Sequence, residues 1–319
     1  MNVIDKSGMS IVVPFLNEED TIPIFCETID EYVTTLAFPV EIVFVNDGSV
    51  DNSLNKINEY LFKNLKDVKI INLSKNFGSH AAVRAGIFYS KYDICTWFGV
   101  DLQEPLEIIP ISYEKIIKEK YDAVYFEKRT VKVSRFNHMF SKIYSYLMQK
   151  YAVKTYSSDG VNTIAFGRKI KEYINKNIER NSSLALQIMN AGYRYTAVPM
   201  NYNERTAGAS KWTFSKKIKL FIDSFVSFSF MPIRLVSIIG ICIFIIGLFL
   251  GIMTIVNKIV NPQVPVGYST VACILALGFG VTNISLGVIA EYLWRTYDAA
   301  MNRPVFVVAD IVSKNTDKK

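Results

Sequence analysis

Ile94-Cys95-Thr96-Trp97-Phe98-Gly99-Val100-Asp101-Leu102-Gln103-Glu104-Pro105 is an apolar run that stops at an acid, an amide and a proline. The part from Ile94 to Val100 reads as a buried strand. Open α/β sheets bind ligands beyond the carboxyl ends of their strands. An Asp there, with an amide oxygen two residues on, can hold a divalent cation against a diphosphate. Gly99 stands where a second carboxylate would be expected. The stretch therefore reads either as a working site or as a relic of one.

Three earlier runs repeat the pattern. Ser10-Ile11-Val12-Val13-Pro14 is a short apolar strand followed by the polar turn Asn17-Glu18-Glu19. Glu41-Ile42-Val43-Phe44-Val45 is a second, ending in Asn46-Asp47-Gly48-Ser49, with Asp51 just beyond. Val68 to Leu73 is a third, ending in Ser74-Lys75-Asn76-Phe77-Gly78. Segments of helical length separate them, so the expected fold is α/β, with a mainly parallel sheet covered by helices. Turns are rich in Asp, Asn and Gly in any case. Four polar turns in register, each after a strand, should gather at one edge of the sheet.

The chain has 319 residues, of which 50% are hydrophobic, and a formal charge of +7. Basic residues cluster between Arg205 and Lys219, just before a long apolar segment, which suggests anionic lipid headgroups as the partner. No zinc knuckle or helix-turn-helix signal points to nucleic acid. No GxxxxGK[ST] or GxGxxG loop occurs, which argues against an ATPase or a nicotinamide enzyme. The histidines, His80 and His138, have no metal-ligand spacing and read as polar surface or supporting residues. Cys26, Cys95, Cys242 and Cys273 are scattered in or beside apolar stretches, as reduced buried thiols would be.

Leu235 to Val256 is uncharged and almost wholly apolar, and Tyr268 to Ala290 is a second such run ending at Glu291. Each exceeds the ~18 residues of a membrane-span candidate, with a buried core helix pair as the alternative. Lys216, Lys217, Lys219 and Arg234 precede the first run, and Arg295 and Arg303 follow the second. Lys258 is the charge between them. The positive-inside rule puts both termini in the cytoplasm. In the segment from Ser215 to Phe230, Ile218, Phe221, Ile222 and Phe225 share one helical face. That pattern suits a helix lying in the membrane interface or one packed on the soluble domain. The expected organisation is an α/β domain over 1–212, an amphipathic helix over 213–233, transmembrane helices over 234–257 and 267–291, and a cytoplasmic tail over 292–319.

Together these stretches resemble family 2 glycosyltransferases with a GT-A (Rossmann-like) fold, in the polyprenyl-phosphate branch. The motifs are Val13-Pro14-Phe15-Leu16-Asn17-Glu18-Glu19, Asn46-Asp47-Gly48-Ser49-Val50-Asp51, Asn76-Phe77-Gly78 and Asp101-Leu102-Gln103-Glu104-Pro105. Glu204-Arg205-Thr206-Ala207-Gly208-Ala209-Ser210-Lys211, the Ser-Phe-Ser-Phe-Met-Pro run at 227–232, the paired apolar runs, Glu291-Tyr292, Arg295 and Arg303-Pro304 extend the likeness over nearly the whole chain.

The resemblance implies transfer of a sugar from a UDP-sugar to undecaprenyl phosphate at the inner (cytoplasmic) membrane, with inversion. Glucose or N-acetylglucosamine is the expected sugar, and the product would be a lipid-linked donor for cell-envelope glycans. A homo-oligomer stays open. The resemblance also implies roles. Asp47 contacts the nucleoside, and Pro14, Asn17, Glu18, Lys75 and Asn76 line the nucleotide-sugar pocket. Asp101 and Gln103 hold Mg²⁺ or Mn²⁺ on the diphosphate. Arg129, Arg135 and Ser141 grip the acceptor phosphate. Arg205 and Lys211 lie in a loop that closes over the diphosphate or acceptor, and Asp159 falls near an acid beside the reacting carbon. An ordinary Asp-Gly turn is the alternative for Asp159, and a solvated face for the basic residues.

A phosphomonoester has its second pKa near 6, so such an acceptor is already a nucleophile at neutral pH. The absence of an obvious general base fits this acceptor. Two competing readings remain. A processive polysaccharide synthase would need more spans and a Gln-x-x-Arg-Trp motif, which the chain lacks. An inactive scaffold that binds nucleotide sugar or lipid draws its support from Gly99.

Overall fold

The computed structural model describes residues 8–128, 146, 149–150, 161–178, 183–203, 231–260 and 267–315. The chain divides into two compact units, Met1–Ser224 with Pro304–Lys319, and Phe225–Arg303.

The first unit is built on an eight-stranded mixed sheet. Its strands are β1 (Met9–Phe15), β2 (Val40–Asn46), β3 (Asp67–Leu73), β4 (Ile94–Trp97), β5 (Ala123–Lys128), β6 (Val161–Phe166), β7 (Tyr195–Met200) and β8 (Val308–Asn315). They lie in the order β7-β5-β6-β4-β1-β2-β3-β8. The run β4-β1-β2-β3 is parallel. β5 and β7 also pair in parallel, whereas β6 and β8 run antiparallel to their neighbours. The expected mainly parallel sheet is thus the half formed by β4, β1, β2 and β3. Every residue of β2 is buried, as a strand covered on both faces requires.

Helices α1 (Ile22–Tyr32), α2 (Ser53–Glu59), α3 (Ser79–Tyr89), α4 (Ile108–Ile117), α5 (Arg168–Lys176) and α6 (Leu184–Asn190) accompany this sheet. In α1, a proline in the first turn suits the helix start, and Ile22, Phe25, Cys26 and Ile29 form one buried face. Asp30 near its end is also buried. Its carboxylate accepts the N–H groups of Lys63, Asn64 and Leu65 at 2.8–3.0 Å and so shapes the approach to β3. α3 lies directly on β1 and β2. A side chain at Gly86 would collide with Val12 and Val45, so only glycine allows this close approach.

The chain moves from β1 to β2 to β3 in one direction, then returns to place β4 on the other side of β1. The topological switch point therefore lies between β1 and β4, where open α/β sheets form a binding crevice.

Two sequence expectations change here. β4 ends at Trp97, not Val100. Phe98 N–H still reaches Val12 O at 2.9 Å, but Gly99 N–H turns to the Glu104 side chain and pairing stops. The segment 292–319 is not a tail, because β8 adds an antiparallel edge strand beside β3. Lys314 of β8 donates to the carbonyls of Ile57, Asn58 and Tyr60 at the end of α2, a favourable place for a cation.

The second unit holds α7 (Met231–Val260, 30 residues) and α8 (Tyr268–Ala300, 33 residues), which pack against each other. At about 1.5 Å per residue they reach about 45 and 50 Å. Their outward positions are apolar; Ile245 is 58% exposed and Phe249 62%. Among the described residues no helix is long and apolar enough to cross a membrane. In the sequence, the run from Leu235 to Val256 is uncharged and almost wholly apolar. Cys26 and Cys95 are buried free thiols as expected, whereas Cys242 lies exposed on α7, in the same apolar surface.

Candidate active site

The loops after β1, β2, β3 and β4 share one edge of the sheet because those strands are parallel. Pro14 sits near the carboxyl end of β1, with Asn17 and Glu18 just beyond. Asp47 follows β2, Lys75 and Asn76 follow β3, and Asp101 and Gln103 follow β4. The structure brings these eight residues to one rim. Arg129, Arg135, Ser141, Asp159, Arg205 and Lys211 lie outside the described residues.

Side chains stitch the first two loops together. Asn17 is left-handed (φ 53°), a conformation that asparagine tolerates. Its N–H donates to Ser49 Oγ at 3.0 Å, and its Oδ1 accepts Val50 N–H at 2.9 Å. Glu18 N–H donates to Ser53 Oγ at 2.8 Å, and Asn46 Oδ1 accepts Ser49 N–H at 2.8 Å. Ser49 is part of the polar turn read from the sequence, but its partner Asn17 lies more than thirty residues away, and Ser53 belongs to α2.

Asp47 joins the second and third loops. Its buried carboxylate accepts Phe77 N–H at 2.7 Å and Gly78 N–H at 3.0 Å. Burial pushes the carboxyl above its ordinary value, against the downward pull of those two amides. The residue expected to contact the nucleoside is therefore, in this structure, a clamp on the loop beside it. Gly48 makes the approach possible. Its φ is +77°, and a Cβ there would lie 2.7 Å from Asn76 N. Lys75 remains exposed at the rim, with its ammonium 5.2 Å from the Phe77 ring.

The fourth loop is strained and tied down. Leu102 adopts φ 53°, which costs an L-residue roughly 1–2 kcal/mol. Asn203, just beyond β7, donates from its backbone N–H to Gln103 O at 2.9 Å and from its Nδ2 to Leu102 O at 3.2 Å. Tyr202 donates to Phe126 O at 3.4 Å, and burial pushes its phenol well above the usual range. No local pattern marks Asn203 as a support for Asp101 and Gln103. It is the residue immediately before the Glu204–Lys211 segment.

Asp101 and Gln103 are both part-exposed, one on each side of Leu102. Among the described residues no group of three His, Cys, Asp or Glu side chains gathers to hold a metal. One acid and one amide oxygen suit a Mg²⁺-like ion that takes its other oxygens from water and substrate phosphates. His80, in the first turn of α3, is exposed.

Known proteins resemble this chain over most of its length. Residues 10–196 match the model of "Glycosyl transferase family 2". The chain is 32% identical to the uncharacterized glycosyltransferase sll0501 of Synechocystis sp., covering 95% of both chains. It is 32% identical to glycosyltransferase YkcC of Bacillus subtilis, over 94% of this chain and 92% of that one. It is 29% identical to undecaprenyl-phosphate 4-deoxy-4-formamido-L-arabinose transferase of Klebsiella pneumoniae, over 95% of this chain and 93% of that one. The chain belongs to glycosyltransferase family 2.

Proposed function

We propose that this chain transfers a sugar from a UDP-sugar to undecaprenyl phosphate at the cytoplasmic face of the membrane, with inversion at the anomeric carbon. The observation that carries the reading is the Asp101–Gln103 turn at the switch point between β1 and β4, beside the rim formed by Asn17, Asp47 and Asn76. The named activity of the Klebsiella relative supports the acceptor class. The two long helices with apolar outward faces, and the unbroken apolar runs in the sequence, support a membrane-embedded second unit.

On this reading Asp101 and Gln103 hold Mg²⁺ or Mn²⁺, which supplies positive charge to the departing diphosphate. The remaining work falls to side chains and backbone. The loops clamped by Asp47 and Ser49 line the nucleotide pocket without having to reorganise when it fills. Lys75 stands exposed at the rim as a cation. Arg129, Arg135 and Ser141 hold the acceptor phosphate, and Arg205 and Lys211 close over the anions. The acceptor needs alignment more than deprotonation, because a phosphomonoester with a second pKa near 6 is largely dianionic at neutral pH.

A panel of radiolabelled nucleotide sugars, tested with undecaprenyl phosphate and with or without EDTA, examines this directly. The panel includes glucose, N-acetylglucosamine and 4-deoxy-4-formamido-L-arabinose donors. A labelled product that extracts into chloroform is expected. A long polymer would indicate a processive synthase, and binding without turnover an inactive scaffold.

A further inference from the structure

α3 starts at the rim, and a buried cation stands at its middle. The helix begins after Gly78, whose N–H is held with that of Phe77 by the Asp47 carboxylate. Ala81, Ala82, Ala85 and Gly86 are small and buried, so this face lies close on β1 and β2. Small side chains make shallow ridges, which fix the setting of a helix only loosely. Arg84 is different. It is 4% exposed, and its Nη2 donates to Gln187 Oε1 of α6 at 2.7 Å. Gln187 is 1% exposed, and its Nε2 donates to Asn177 O at the end of α5 at 2.6 Å. The far end of α3 is pinned separately. Lys69 donates to Tyr89 O, and Lys171 of α5 donates to Ser90 O and Tyr92 O. Arg84 acts nearer the rim, six residues from Gly78, about 9 Å along the helix.

We propose that Arg84 and Gln187 are positioning residues for the donor: their bond sets the rim half of α3, and with it the Phe77–Gly78 loop, in the place that nucleotide-sugar binding needs. This rests on the donor-site reading given above. Taking a guanidinium out of water is costly, and buried charged groups are often replaced by apolar ones of similar volume at no loss of stability. The bond is therefore a device for position more than for stability. The Asp47 carboxylate can hold both amides only while α3 brings them to it. The Arg84–Gln187 bond and the Asp47 clamp thus secure the same helix from two directions, one from α6 and one from the end of β2.

The test replaces both residues by apolar ones, Arg84→Met with Gln187→Met, in the full-length protein in detergent. Hydrogen exchange is followed by mass spectrometry on two peptides. One carries Phe77 and Gly78, held by Asp47. The other carries Lys63, Asn64 and Leu65, held in the same manner by Asp30 at the opposite edge of the sheet. The double variant is expected to exchange at least about tenfold faster at the first peptide and no faster at the second. Its KM for the UDP-sugar is expected to rise at least about tenfold, with kcat and the KM for undecaprenyl phosphate little changed. A merely structural role would move both peptides together. Equal acceleration of both peptides, or of neither, overturns the proposal, and so does an unchanged donor KM. If the double variant does not fold, Gln187→Met alone removes the same bond, and the same outcomes decide. Failure here is separable from failure of the transferase reading. A wild-type protein that transfers sugar from no donor removes that reading, and the proposal that rests on it, whatever the peptides show. A wild-type transferase whose double variant keeps its donor KM removes the role of Arg84 and Gln187 alone.

Discussion

The Asp47 carboxylate accepts the Phe77 N–H at 2.7 Å, joining the loop after β2 to the loop after β3. Gly78 N–H shares the same carboxylate, so the acid fixes two consecutive amides at the rim of the site. Asp47→Ala leaves both amides without this acceptor and is expected to cost about 2–3 kcal/mol. Thermal unfolding of the full-length protein in detergent measures the loss, and an unchanged midpoint would remove the clamp from the account.

The same residue predicts a pH dependence. Burial lifts the folded carboxyl of Asp47 above its ordinary value, so the folded protein holds the proton more tightly than the unfolded chain. The resulting stability is fully present below about pH 3.9 and is lost as pH rises through the folded value. Asp47→Asn cannot titrate. Relative to wild type it should therefore gain stability between about pH 4 and the raised folded value, then level off. Parallel melting curves at several pH values give the comparison, and a flat difference contradicts it.

Two glycines at the rim separate crowding from backbone conformation. Gly48 and Gly78 both have positive φ, but a Cβ at Gly48 would press on the backbone at Lys75 and Asn76, whereas Gly78 has open space around it. Gly78→Ala should cost roughly 1–3 kcal/mol, because φ 94° with ψ 155° is a conformation almost confined to glycine. Gly48→Ala should cost clearly more, because backbone atoms must shift. Equal melting temperatures for the two variants would show that the loops do not approach as described.

Much of the core architecture was legible because its strands are continuous apolar runs. β1 and β2 were placed to within a residue at each end, and the four polar turns do share an edge. Less legible were features whose cause lies far away in sequence. β6, β7 and β8 are antiparallel or edge strands with mixed polarity, and nothing local marks Val308–Asn315 as a partner of β3. The early end of β4 depends on Glu104 capturing Gly99 N–H, an interaction that an apolar pattern cannot show. At the site, residue types were readable but their partners were not. Asp47 was identified as important, but its clamp on Phe77 and Gly78 came from the fold, as did the tether from Asn203.

Leu102 supplies a test of that tether. Its left-handed backbone is held by the Asn203 bonds on its own carbonyl and on that of Gln103. Leu102→Val puts a β-branched side chain in this conformation and should destabilise by about 1 kcal/mol or more. Leu102→Gly relieves the strain but adds freedom to the unfolded chain, so its melting point should stay near wild type. Its transfer rate should fall, because Asp101 and Gln103 are then less firmly held. A valine variant as stable as wild type would contradict the strain.

The second unit predicts behaviour in membranes. α7 and α8 carry large exposed apolar side chains such as Phe249, Phe279 and Trp294. After expression, the chain should stay in the membrane pellet through alkaline carbonate extraction. Release into the supernatant would mean that these helices do not insert.

The most direct measurement is sugar transfer by wild type and Asp101→Ala, using the labelled donor panel with undecaprenyl phosphate. Wild type should give a chloroform-extractable labelled lipid from at least one UDP-sugar, and EDTA should abolish it. Asp101→Ala should lose at least about 10²-fold in rate, equivalent to about 2.7 kcal/mol. No labelled lipid from any donor, or full activity in Asp101→Ala, would contradict the account.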